Sequence, residues 1–359
     1  MAEWSGILDS TPCHAFVFGE TMKDIKRLIP GALISIALIA AILYFVDFQT
    51  MWNAIRNANY SILVGSVFLS FLWMFVRAKV WQTLLRDKAK YIDVLFTASE
   101  GYLLNTFLPF RLGEVGRAFL LSRKSSMTFS EILPTIIIER VVDLAFAAAI
   151  LLAGLPYVSD TQGSERIGYI VGGVVILGLV MMYVLARNNK WALNTFHQLS
   201  RRWPFLQKFG GSFLESFFDG LGVLTDGWLF IRFLLWMTFN WAIALVAYYL
   251  ITLAFFPQAQ PEWTLFVLGA AAFGGAIPAL PGGVGTFEGA VSAALTLFTK
   301  DQSTSLAVAL TARLYNYLNS GVLGTIGLMR EGQTLSGVYQ QLMALRSKQG
   351  AEASAEVKE

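Results

Sequence analysis

Hydrophobic residues fall along this chain in long blocks, and the polar residues between them are short and often basic. Residues 28–46, 60–81, 132–157, 167–186, 229–256 and 303–329 form six such blocks. At roughly 1.5 Å per helical residue, each is long enough to cross a hydrocarbon core of about 30 Å. They predict six full transmembrane helices. Two further apolar stretches, 94–121 and 263–298, are broken near their middles by Pro109 and by Pro278, Pro281, Gly282, Gly283 and Gly285. Proline removes a backbone donor and glycine loosens a helix. Each broken stretch is therefore expected to turn back as a re-entrant helical hairpin, or else to form a kinked or paired span.

The polar residues test that arrangement. With six crossings and two hairpins, one side of the membrane receives Arg86, Lys88, Lys90, Arg123, Lys124, Arg187, Lys190, Arg201, Arg202, Lys208, Arg330, Arg346 and Lys348; the other receives only Arg56, Arg166 and Lys300. Basic loops stay in the cytoplasm. Both termini are thus expected there, and the basic flank Lys23, Lys26 and Arg27 agrees. The order span, broken hairpin, span occurs twice, over 60–157 and 229–329. The single block 167–186 between them inverts the second repeat relative to the first. Residues 1–27 read as a cytoplasmic segment, 28–329 as one membrane domain and 330–359 as a disordered cytoplasmic tail. The interleaved aromatic and basic residues of 187–227, Phe196, Trp203 and Phe205 among them, are expected to lie on the membrane surface.

Composition fixes the class. Of 359 residues, 55% are hydrophobic and 14% charged, with a mean hydropathy of +0.57. This is an all-α polytopic membrane protein, not a soluble domain or a nucleic-acid binder. The one cysteine, Cys13, excludes an intrachain disulfide, and His14 and His197 make no ligand set. Neither metal nor cofactor is expected. The sequence also lacks Gly-x-x-x-x-Gly-Lys-Ser/Thr, the phosphate-cradling loop of many ATPases.

Both breaks share a pattern. Leu108-Pro109 leads through Arg111 and Gly113 to Glu114, and Leu280-Pro281 leads through Gly282, Gly283 and Gly285 to Glu288. Arg140 follows Pro109 by 140 − 109 = 31 residues, and Arg313 follows Pro281 by 313 − 281 = 32. Inverted repeats with discontinuous helices are the pattern of secondary transporters, whose sites form at the breaks. Charged residues inside apolar segments need a partner, water or a function. Glu139 and Asp143, four residues apart, share a helical face with Arg140 beside them, and Arg313, Asn316, Tyr317 and Ser320 form a polar stripe. These groups are expected either to line a substrate path or to lock the bundle as buried ion pairs. Arg111 and Arg117 flank Glu114, and are expected either to bind phosphate oxygens or to bond Glu114 and helix-end carbonyls.

The segment from Leu108 to Arg117, the run Glu139, Arg140, Asp143, and the run Leu280 to Glu288 resemble the signatures of the flippase-like domain of lysylphosphatidylglycerol synthases, over about Lys26 to Met329. The resemblance implies a bacterial inner-membrane protein that moves lipids between leaflets, with membrane lipids and envelope-lipid biosynthesis enzymes as partners. It also implies that Arg111, Glu114, Arg117, Glu139, Arg140, Asp143, Glu288 and Arg313 line or gate the path. Bifunctional members add a cytosolic aminoacyl-transfer domain, for which residues 330–359 are expected to be too short. The chain is accordingly not expected to be an enzyme. Two alternatives stay open: an intramembrane transferase with Glu114 or Glu139 as general base, and a non-transporting scaffold of an envelope-lipid pathway.

Overall fold

The computed structural model describes residues 46–108, 111–158, 226–277 and 281–333, with six single positions between 173 and 188. The expected spans at 28–46 and 167–186, the surface loop 187–227 and the tail lie wholly or almost wholly outside the described residues. Among the described residues the protein is all helix. The helices are α1 (Phe48–Asn57), α2 (Tyr60–Leu84), α3 (Tyr91–Phe107), α4 (Leu112–Lys124), α5 (Phe129–Gly154), α6 (Gly227–Phe255), α7 (Pro261–Ala276), α8 (Thr286–Thr299) and α9 (Gln302–Arg330).

Their starts follow local chemistry. Asp47, Asn59, Asp226 and Asp301 accept backbone N–H bonds at the heads of α1, α2, α6 and α9. Such caps satisfy donors that a helix leaves open at its N-terminus. Thr128 and Glu131 form a capping box on α5. The Thr128 backbone N–H bonded to its carboxylate holds Glu131 below the usual carboxylate range.

The breaks are equally local. Leu108 and Ile277, each just before a proline, turn extended at φ −97°, ψ 137° and φ −63°, ψ 126°. Arg111 then sits in the left-handed region at φ 54°, and Gly282, Gly283 and Gly285 take positive φ. The result is two hairpins of short helices. At 17, 13, 16 and 14 residues, α3, α4, α7 and α8 are about 20–25 Å long, less than a hydrocarbon core.

Two quartets follow, each long, short, short, long. Their packing is exchanged: α3 of the first lies on α9 of the second, α7 of the second lies on α5 of the first, and α2 pairs with its counterpart α6. This is the contact scheme of two similar units related by an approximate two-fold. Small residues make the close crossings. A Cβ on Gly113 would lie 2.1 Å from the Gly101 carbonyl oxygen, and one on Gly274 2.4 Å from the Ala290 Cβ. Gly269 and Gly324 do the same for α7 on α5 and α9 on α3.

Polarity runs inside out. On α2, Tyr60, Val64, Phe68 and Phe75 face outward while Ser66, Ser70 and Arg77 are buried; on α9, Leu310, Leu314, Leu318, Val322 and Ile326 face outward in four-residue steps while Asn319 and Ser320 are buried. That is the arrangement of helices bathed in lipid. By length and apolar content together, α2 and α6 suffice to cross a membrane; α5 and α9 have the length but are more polar, α5 through its charges and α9 through its Ser, Thr, Asn and Arg residues. The chain is a helical membrane protein.

Candidate functional site

A cavity of about 530 Å³ lies where the two hairpin breaks meet. A Cβ on Gly282 would stand 3.6 Å from the Thr106 carbonyl oxygen and 3.2 Å from the Tyr317 hydroxyl, so the second break rests on the end of α3. Gly282 and Gly283 take φ values of 72° and 65°, a region that residues with a Cβ rarely adopt, and their bare backbone allows this approach.

Arg111, Glu114, Arg140, Asp143, Gly282, Gly283, Arg313 and Asn316 line the cavity. Arg117, Glu139, Gly285 and Glu288 stand behind its wall. Arg140 Nε lies 2.8 Å from Glu114 Oε1, its Nη1 donates to Asp143 at 3.3 Å, and its Nη2 donates to the Tyr102 hydroxyl at 3.3 Å. In the second quartet, Arg313 donates from Nε to Glu288 Oε1 at 2.7 Å and from Nη2 to Oε2 at 3.0 Å. It also donates to the carbonyls of Gly282 and Gly283. Glu288 in turn accepts from the Gly285 backbone N–H at 2.9 Å, closing the first turn of α8.

The arginines flanking Glu114 separate. Arg111 donates to the Gly275 carbonyl at the end of α7 and keeps a 3.7 Å contact with Glu114, bridging the two breaks. Arg117 makes no ion pair with Glu114: it pairs with Glu139 at 3.2 Å, over the face of Trp81. Three residues of spacing put Arg117 beside Glu114 on one helix, but α5 supplied a deeper partner. The two polar stripes likewise do not merge into one ion network; each serves its own quartet, on either side of the cavity.

Sequence reasoning missed Arg77. Its guanidinium bonds Glu139 and Asp143 together, with Asp143 Oδ1 at 2.8 Å, and it is buried in α2. A cation inside the apolar block 60–81 was the available signal. Tyr102 and Asn240, also unflagged, line the cavity as well, together with Asn105. Glu100 was overlooked too, and with it the ion pair it forms with Lys124 away from the cavity.

Counting charges decides what the site favours. Arg77, Arg111, Arg117 and Arg140 face Glu114, Glu139 and Asp143, leaving 4 − 3 = +1, while Arg313 and Glu288 cancel. The side chain of Arg111 is 43% exposed, against 3% for Arg77, 2% for Arg117, 24% for Arg140 and 11% for Arg313. An excess cation with accessible donors suits an anionic oxygen group. Among the described residues, no group of His, Cys, Asp and Glu is placed to hold a metal.

The chain is 28% identical over 225 residues to the UPF0104 membrane protein MJ1078 of Methanocaldococcus jannaschii, an alignment that covers 62% of this chain and 92% of that protein. It is 20% identical over 316 residues to MJ1595, a UPF0104 membrane protein of the same organism, covering 83% and 93%. No solved structure matches it. Residues 30–324 match the family described as the lysylphosphatidylglycerol synthase TM region. That match takes in both breaks, their Arg–Glu pairs and the cavity between them, and the chain belongs to this family.

Proposed function

We propose that this protein is a lipid flippase: the cavity between the quartets takes a head group bearing an anionic phosphate, while the apolar tails stay in the bilayer. The chain crosses the inner membrane six times, and α3–α4 and α7–α8 are re-entrant hairpins entering from opposite faces. The second quartet is inverted relative to the first. Short paired helices, the exchanged packing and the meeting of the two breaks support this topology.

One observation carries the substrate class: a net positive cluster presents Arg111 to a 530 Å³ cavity. A guanidinium meets phosphate with two parallel N–H donors. The cavity is apolar over much of its wall, with Leu144, Ile251 and Leu268 among its residues, which suits a molecule with a greasy end. The carboxylates argue against transferase chemistry. Glu139 is wholly buried between Arg77 and Arg117, out of reach of the cavity, and Glu114, which lines the cavity, stands against Arg140 and Arg111, cations that favour its ionised form and make it a poor proton acceptor.

The test is leaflet exchange in vesicles containing the purified protein and a fluorescent anionic phospholipid, read by a quencher that reaches only the outer leaflet. Wild type is expected to expose the inner-leaflet pool, and Arg111→Ala to slow exchange roughly tenfold, the worth of one charge-assisted hydrogen bond. No exchange by wild type with any anionic, zwitterionic or polyprenyl-phosphate lipid would refute the reading.

A further inference from the structure

A second polar cluster lies apart from the cavity, where α3, α4 and the end of α9 meet. Lys124 Nζ donates to Glu100 Oε2 at 3.0 Å and to Thr97 Oγ1 at 2.7 Å, and it also pairs with Glu331. Glu100 is completely buried, while Lys124 and Glu331 are 15% and 20% exposed. With both acids ionised the triad carries 1 − 2 = −1.

The buried oxygen defines the site. Glu100 Oε1 has no hydrogen-bond partner. It presses instead on the glycine face of α9, where a Cβ on Gly327 would meet it at 2.3 Å. A buried carboxylate oxygen without a donor bears most of its desolvation cost uncompensated. Beside it opens a small cavity of about 140 Å³, lined by Asp93, Phe96, Lys124, Gly327, Arg330 and Glu331. Lys124 from α4 and Glu331 from the end of α9 are the charged groups next to Glu100, and with Gly327 they separate it from this cavity, whose wall also holds Asp93 from its own helix and Arg330 from α9; Arg330 stacks on Phe96 at 4.7 Å.

From this arrangement we propose that Glu100 is a proton-binding site, reached through the small cavity, through which a proton gradient drives or regulates movement of the lipid. The proposal rests on the transport reading given above. A proton on Glu100 removes the excess negative charge and leaves Lys124 to Glu331. The grip of α4 on α3 weakens, while that of α4 on α9 remains. Those helices lead directly to the main cavity: α3 carries Tyr102 and Asn105, and α9 carries Arg313 and Asn316, all in its wall. The close contact of Gly324 and Gly327 with α3 makes the two helices move as neighbours, so a change at Glu100 reaches the cavity by packing. The main-cavity carboxylates Glu114, Asp143 and their neighbour Glu139 each face a guanidinium, whereas Glu100 has one ammonium, shared with Glu331, and a second oxygen with no donor, which makes it the carboxyl suited to take a proton.

Two measurements on the full-length protein separate this site from the transport reading. The first is infrared difference spectroscopy of purified protein between acid and alkaline buffer. Wild type is expected to show a protonated-carboxyl band that Glu100→Gln removes and Glu331→Gln shifts in midpoint. A band absent from wild type, or unchanged in Glu100→Gln, overturns the site. The second is lipid exchange in vesicles with an imposed pH gradient. A rate that follows the gradient in wild type and ignores it in Glu100→Gln supports coupling; a wild-type rate indifferent to the gradient overturns coupling. If no lipid moves in either variant, the transport reading and the coupling fall together, while the infrared result still decides whether Glu100 binds the proton. Should Glu100→Gln fail to fold, Lys124→Met takes its place, with a shifted band and an altered gradient response expected.

Discussion

Glu288 and Arg313 join the head of α8 to the middle of α9 through two hydrogen bonds of 2.7 and 3.0 Å. Glu114 and Arg140 form an ion pair at the corresponding place between α4 and α5, through one contact of 2.8 Å. Each half thus ties the restarted helix after its break to the long helix that follows. Arg313 also donates to the carbonyls of Gly282 and Gly283, where Arg140 donates to Asp143 and the Tyr102 hydroxyl. Arg313→Ala would leave a buried carboxylate and two open carbonyls. A loss of about 3–5 kcal/mol is expected, the usual cost of removing one partner of a buried pair. Thermal unfolding in detergent reads it, and a melting temperature equal to wild type would show the tie to be idle.

Arg77 holds two acids of α5 from α2, and Glu139 has a second cation in Arg117. Arg77→Met is expected to destabilise by about 3–5 kcal/mol, by leaving Asp143 with only the 3.3 Å contact to Arg140 and by removing half of the Glu139 interaction. Arg77→Met with Asp143→Asn leaves Glu139 and Arg117 as a balanced pair. That double variant is expected to regain a large part of the loss, measured by the same unfolding assay. Failure to regain any would mean that Arg77 acts by packing against Trp73 and not by charge.

Arg111 and Arg117, six residues apart on one sequence segment, are expected to behave in opposite ways. Arg117→Ala removes a buried ion-pair partner and lowers stability. Arg111→Ala removes a half-exposed side chain, so the melting temperature stays near wild type while lipid exchange falls. Paired unfolding and exchange measurements distinguish them.

Gly113 and Gly65 offer a matched comparison. Alanine at Gly113 would put its Cβ 2.1 Å from the Gly101 carbonyl, whereas Gly65 has nothing within 4 Å. Gly113→Ala is expected to cost about 1–3 kcal/mol or more through overpacking of the hairpin. Gly65→Ala, on a helix, is expected to be neutral or to stabilise by about 0.5–1 kcal/mol. Unfolding temperatures of the two variants check both signs.

The breaks were legible because proline and glycine act on their own backbone: Leu108 and Ile277 turn extended for reasons present in the next residue. Among the described residues, helix ends fell within a few residues of the four apolar blocks 60–81, 132–157, 229–256 and 303–329 for the same local reason, with capping residues such as Asp226 and Asp301 just outside them. Partners between helices were not legible. The spacing of Glu114 and Arg117 placed them on one face, yet the choice of Glu139 depended on how α4 packs on α5. Arg77 could be seen as an isolated cation in an apolar block, but nothing near it in sequence named Glu139 and Asp143, 62 and 66 residues away. The bridge from Arg111 to Gly275, 164 residues distant, exists only because the two breaks abut.

The lipid path itself is tested by blocking the cavity. Cys13 is the single cysteine, so Cys13→Ser provides a background for one new thiol at a time. Asn316→Cys places that thiol in the cavity wall, and Leu314→Cys places it on the outer face of the same helix, where the native side chain is 60% exposed. After treatment with a bulky thiol reagent, lipid exchange in vesicles is expected to stop for Asn316→Cys and to continue for Leu314→Cys. Continued exchange through fully modified Asn316→Cys protein would contradict a path through the cavity.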